Sequence, residues 1–198
     1  MSLKVLVKAL AATAALVAAC APANASPVVY ADGLKVFQDV CVTPDSHAEI
    51  LRAARATGWD RLADEAVPAV VRGNGMVGLQ DVRQGQVGGT PVLVAVGDLG
   101  GTSFCRIYFR PVAPAAMIQR LSAESVLGAP LGPSDFDGPM NFPAGWKATG
   151  WHVSRQSQWR AVHYSYDPDG QGPNAAWQSI EITRAIRPVK VKGLPTFG

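Results

Sequence analysis

Long apolar runs, charge of one sign and activated catalytic motifs are all scarce in this chain of 198 residues. Its main apolar run, Ala9 to Ala19, is too short to span a bilayer. Lysine and arginine total 18 against 15 acidic residues, and no basic stripe is present, so nothing favours nucleic acid. The three histidines, His47, His152 and His163, form neither His-x-His nor His-Glu-x-x-His, and no metal site is expected. Gly-x-Ser-x-Gly, the nucleophile elbow, is missing, and no internal repeat is visible.

Two motifs come close to a cofactor or ion site. Gly73, Gly75 and Gly78 have the spacing of a dinucleotide fingerprint. The residues that follow, Leu79 to Gly89, are broken by glycine and read as a strand and a turn. A helix is needed there to aim amides at a pyrophosphate, so no cofactor is expected. Asp167-Pro168-Asp169-Gly170 opens like a calcium loop, yet Gln178 stands where the closing glutamate belongs. A turn between strands accounts for it.

What is present starts with an export signal. Lys4 and Lys8 precede the apolar run, and small residues follow it. Ala23-Asn24-Ala25 fits an ordinary signal-peptidase cut before Ser26, whereas Val17-Ala18-Ala19-Cys20 resembles a lipobox that would lipidate Cys20. The first is the cleaner site, and only the second would attach the protein to a membrane. Removing residues 1–25 from 198 leaves 173, enough for one domain with a real core. The segment removed holds two lysines and no acid, so a formal charge of +3 becomes +1. Cys41 and Cys105 remain, and in an oxidising compartment they are expected to form one disulfide. The protein is therefore expected in the periplasm or secreted.

Along the chain, Asp32 can cap a helix in which Leu34, Phe37, Val40 and Cys41 recur at helical spacing. Ser46-x-x-Glu49 is a capping box for a second helix ending near Gly58. Ala69-Val70-Val71 reads as a short strand. Val92–Val96 and Phe104–Phe109 form a hairpin across a five-residue Gly/Asp linker, with Cys105, Ile107 and Phe109 facing the core. A helix from Pro114 is expected to stop at Gly128, and 129–145 to be an irregular loop. Three strands follow, Trp146–Ser154, Gln158–Tyr166 and Ala176–Ile186, before an extended tail at 187–198. The fold expected is a single α+β domain over 26–198. Its antiparallel sheet has about five to six strands under two or three helices, with one disulfide.

The last three strands carry four of the chain's five tryptophans, together with Tyr164 and Tyr166. Trp151, Trp159, Trp177 and Tyr164 are the candidates for a ligand-binding face, taking a small ligand or another envelope protein. For an alternative reading as a small hydrolase, His152, His163, Asp167 and Ser154 are the catalytic candidates. No pair of carboxylates on loops borders an aromatic cleft, which leaves a glycosidase unsupported.

Phe37-x-x-x-Cys41, a capped helix ending Gly58-Trp59, and the strand Cys105-Arg106-Ile107-Tyr108 followed by a helix together resemble a group of short exported alphaproteobacterial proteins. The resemblance implies export and a one-disulfide α+β domain. It implies no catalytic residue.

The mass of the exported protein is expected to match a chain beginning at Ser26; a diacylglycerol-modified start at Cys20 would select the lipobox instead.

Overall fold

The computed structural model describes residues 30–73, 77–140, 143–155 and 158–185. The leader at 1–25 with Cys20, the middle of the glycine motif at 74–76 and the tail at 187–198 lie outside the described residues.

Capping residues open the helical layer as the sequence dictates. Asp32 accepts a hydrogen bond from the Lys35 amide at 3.0 Å and starts α1, Gly33–Val36. The chain runs on into a π-helical segment, Phe37–Val42, closed by the Thr43 amide on the Gln38 carbonyl. Val36, Phe37, Val40 and Cys41 are all buried, so one stripe of this segment faces the sheet. Ser46 and Glu49 cap α2, His47–Ala56, reciprocally. Gly58 ends that helical turn at φ 71°, a conformation glycine adopts without strain. Ile50 and Ala54 point inward, while Arg52 and Arg55 are exposed.

Eight strands form one antiparallel sheet: β1 (Asp60–Arg61), β2 (Leu79–Val87), β3 (Thr90–Leu99), β4 (Thr102–Phe109), β7 (Phe136–Pro139), β8 (Lys147–Arg155), β9 (Gln158–Tyr166) and β10 (Gln178–Ala185). Their spatial order is β1-β2-β3-β4-β10-β9-β8-β7. Two meanders, β1–β4 and β7–β9, are joined because the last strand inserts between them. It pairs with β4 on one side and β9 on the other. Between the meanders lie α4 (Pro114–Ala123) and a separate small hairpin, β5 (Ser125–Val126) with β6 (Ala129–Pro130).

The sheet exceeds the expected five to six strands because β1 and β7 are short edge strands. Their Asp, Gly and Pro residues show no alternation of apolar and polar positions. Phe136–Pro139 lies within the stretch expected to be irregular. Ala69–Val71 is the start of a helix, α3 (Ala69–Gly73), not a strand: adjacent Val70 and Val71 are both buried on its turn. The hairpin loop is two residues, not five. Pairing continues to Leu99 opposite Thr102, and Gly100 and Gly101 turn the chain at φ 61° and 90°. Nor does Gly128 stop a helix. That helix ends at Ala123, and Leu127 and Gly128 form the left-handed turn of the β5–β6 hairpin.

One face of the sheet carries the main core. Val92, Val94, Val96, Ile107, Val162, Ile180 and Ile182 meet Phe37, Ile50 and Leu121 from the helices. The opposite face has a smaller cluster at one end, where Val67, Val70 and Val71 cover Val82, Leu93, Ala95 and Tyr108. Cys41 and Cys105 are disulfide-bonded, with Cα atoms 5.4 Å apart, joining the π-helical segment to β4 across 64 residues. Arg184 on β10 makes a second tie. Its guanidinium donates to the carbonyls of Cys41, Val42 and Pro44, where the segment leaves unsatisfied acceptors and the negative end of its dipole. Among the described residues no helix is long and apolar enough to cross a membrane.

Replacing both Cys41 and Cys105 by serine is expected to lower unfolding free energy by about 4 kcal/mol in the chain-entropy model, read by urea denaturation. Unchanged stability would mean that the tie does not restrict the unfolded chain.

Candidate functional site

Strand periodicity of two sends alternate residues to the face away from the main core, and the pairing register lines them up in rows. One row crosses six strands: Phe136, Gly150, His163, Glu181, Arg106 and Ala95. The next holds His152, Ala161, Thr183, Phe104 and Gly97. Beyond it Ser154 faces Trp159, and Thr102 faces Leu99. The small cluster at the other end of the sheet meets these rows at Ala95 and, among the described residues, does not extend further over them.

Glycine and ring residues pave this surface together. A Cβ on Gly97 would lie 2.3 Å from the Phe104 ring, and one on Gly150 would lie 2.8 Å from the His163 ring. A Cβ on Gly138 would come within 3.0 Å of the Phe136 ring. The rings therefore lie down on positions that have no side chain, giving a flat floor. His152 stacks on Trp159 with ring centroids 6.0 Å apart and meets His163 edge-on at 6.2 Å. Val77, Leu99 and Phe136 are exposed around the floor, at 72%, 56% and 41%.

The floor's centre is polar but internally balanced. Arg106 pairs with Glu181, and its guanidinium lies 5.8 and 5.9 Å from the ring centres of Phe104 and Tyr108. Desolvation alone would loosen the Arg106 proton; the Glu181 carboxylate and the Tyr108 phenol outweigh it and raise the pKa. Thr183 donates to Glu181 at 3.0 Å. A cavity of about 400 Å³ lies over this pair, bounded by Val77, Leu99, Phe104 and Thr183. Burial pushes the His163 pKa down, Glu181 opposes the shift, and His152 and Arg106 add to it. His163 is thus held as a neutral imidazole, able to donate and accept.

The residues expected to bind ligand do not share one face. Trp151 pairs with Val162 on the core side and is fully buried, its indole donating to the Gly132 carbonyl at 3.0 Å. Tyr164 is also buried there. Trp177 packs on the small cluster beside Trp146. Only Trp159 reaches the open floor, because the strand period sends Trp151 and Trp159 to opposite sides.

The catalytic candidates separate too. Asp167 is engaged in its own turn, accepting from the amides of Asp169, Gly170 and Gly172 at 3.0, 3.1 and 2.7 Å. It stands four residues along an extended strand from His163, roughly 13 Å. His152 has an acidic neighbour that the sequence did not single out: its Nδ1 lies 3.5 Å from Asp135, which also accepts the His152 amide at 2.6 Å. Ser154 is exposed, and among the described residues no hydrogen bond joins its hydroxyl to either histidine. The described residues contain no group of three or more His, Cys, Asp or Glu side chains able to hold a metal ion.

Sequence reasoning missed Asp135, Phe136 and the Arg106–Glu181 pair. Glu181 alternates with Ile180 and Ile182, which marks it as facing away from the core; its pairing with Arg106 depends on where β10 inserts. Compared with protein-family models, curated proteins and solved structures, the chain matches none.

Because the folded state holds His163 neutral, the unfolded chain takes up its proton first as pH falls below about 6.5. Stability linked to this residue is therefore full above that pH and declines below it. His163→Gln is expected to flatten the decline in melting temperature across that range; an unchanged slope would assign the loss to other groups.

Proposed function

We propose that this is an exported, non-catalytic protein of the cell envelope that takes a partner or ligand on the ring-paved sheet face. The leader sequence supports export, and a disulfide at the centre of the fold suits an oxidising compartment. The observation that carries the reading is the floor itself. Rings laid on Gly97, Gly138 and Gly150 make a flat, largely uncharged surface, while helices and Trp151 fill the other side of the same sheet. Among the described residues no second layer of structure packs over most of the floor, and ordinary folding gives no reason to leave ring residues there uncovered. Arg106 and Glu181 neutralise one another, so the matching surface carries little net charge and has groups that can bond His152 and His163.

A second reading, a small hydrolase, is favoured by one observation: the His152–Asp135 contact resembles an oriented general base. Ser154 two residues along is the nucleophile that reading requires.

Titration with envelope fractions while tryptophan emission is followed tests the first reading, since Trp159 sits on the floor and Trp151 reports from the core. A bound fraction is expected, with Trp159→Ala and Phe136→Ala each weakening it about tenfold, the effect of losing an aromatic anchor. Binding that survives both substitutions, or no response to any fraction, would reject the floor as the site. Ester hydrolysis lost in both Ser154→Ala and His152→Ala would favour the hydrolase.

A further inference from the structure

Beyond the paved floor, the core side of the sheet opens at one end into a cavity of about 600 Å³. Three arginines line it: Arg155 from β8, Arg160 from β9 and Arg184 from β10. Alternate residues on adjacent antiparallel strands project to one side, so the register brings these guanidinium groups together where the helical layer ends. Two of them are buried, Arg160 at 6% and Arg184 at 4% exposure.

Charged groups this deep normally have a carboxylate partner. Among the described residues neither Arg160 nor Arg184 makes a salt bridge. Asp45, the one acid among the described lining residues, is exposed and forms a salt bridge with neither. Arg184 uses its terminal nitrogens on the helical carbonyls, but its buried Nε has no acceptor. Arg160 donates to the carbonyl of Trp159. Burial, then repulsion from Arg160, draws the Arg184 pKa down to about 10, with Asp45 and Glu49 only partly offsetting it. Burial also lowers Arg160. Arg155 at the rim is held by the Leu127 carbonyl at 2.9 Å.

We infer that this cavity binds a small organic phosphate monoester. Among the described lining residues, three guanidinium groups against one carboxylate leave two net positive charges, which a phosphomonoester dianion matches near neutral pH. Its oxygens accept from guanidinium N–H groups, the geometry for which arginine is suited. The cavity is larger than phosphate needs, and the rest of its wall is mixed. Val42, Val126 and Ile182 give apolar contact, and Thr43, Ser125 and Gln158 offer hydrogen bonds to an organic portion bearing hydroxyls.

Glycerol 1-phosphate, titrated calorimetrically into the mature protein at constant ionic strength, tests this, with glycerol as the neutral control. Binding is expected with the phosphate only. Arg155→Gln, an exposed rim residue, and Arg160→Gln are each expected to weaken it about tenfold or more, the loss of a charge-assisted hydrogen bond. Melting temperatures identify a variant that fails to fold, and the rim substitution remains decisive if the buried one does. Phe136→Ala, on the edge strand away from the cavity, is expected to leave phosphate binding unchanged, which keeps this site's failure distinct from that of the paved floor. Cosedimentation with phosphatidic acid vesicles, lost in Arg155→Gln, would identify a lipid headgroup as the source of the phosphate; binding without cosedimentation would identify a free metabolite. No binding, or equal affinity in a folded Arg155→Gln protein, would overturn the inference.

Discussion

The anchoring of one short helical segment to the middle of the sheet is the constraint on which the rest depends. Cys41 is bonded to Cys105 in β4, and Arg184 in β10 holds the carbonyls of Cys41, Val42 and Pro44. β4 and β10 are the neighbours at the centre of the eight-stranded order. Covalent and electrostatic ties therefore converge where the two meanders meet. The chain-entropy contribution of the disulfide, about 4 kcal/mol, is large beside the net stability of a domain this size. Arg184 also satisfies acceptors that a buried helix end would otherwise leave open.

That anchoring also decides which side of the sheet remains available. With the helical layer held against Val94, Ile107, Val162 and Ile180, the other side depends on α3 and nearby residues for cover, and these protect only one end. Over the remainder, glycine positions let Phe104, His163 and Phe136 lie flat. Flat rings bury part of their own surface without a second layer of structure. Among the described residues the same arrangement leaves most of the floor's rows without a second layer over them. On the core side, where the helical layer stops, the strands instead present arginines. Each face thus ends in a different chemistry, neutral and aromatic on one, cationic and concave on the other.

Helix starts and the long strands were legible because their causes are local. Asp32, Ser46 with Glu49, and Pro114 act within one turn. Alternation in 158–166 and 178–185 reports strands with two different faces, and the unbroken apolar run at 92–96 reports a strand buried on both sides. Edge strands escaped notice since β1 and β7 bury little and are held by pairing with distant partners. Ala69–Val71 misleads because valine favours strands in isolation, whereas here Pro68 and the need to cover Val82 and Leu93 select a helical turn. Composition groups the tryptophans as one set, whereas strand parity sends Trp151 to the core and Trp159 to the opposite face.

The sequence by itself determined which residues alternate together along the hairpin's second strand and the last two long strands, the capped helices, and a pair of cysteines able to close the fold. These follow from propensity, periodicity and composition, which operate over a few residues. Only the tertiary structure decided that β10 lies between β4 and β9, and with it the meeting of Arg106 with Glu181 and of Arg160 with Arg184. Strand order is chosen by burial and hydrogen bonding summed over the whole sheet, so no local pattern specifies which distant side chains become neighbours.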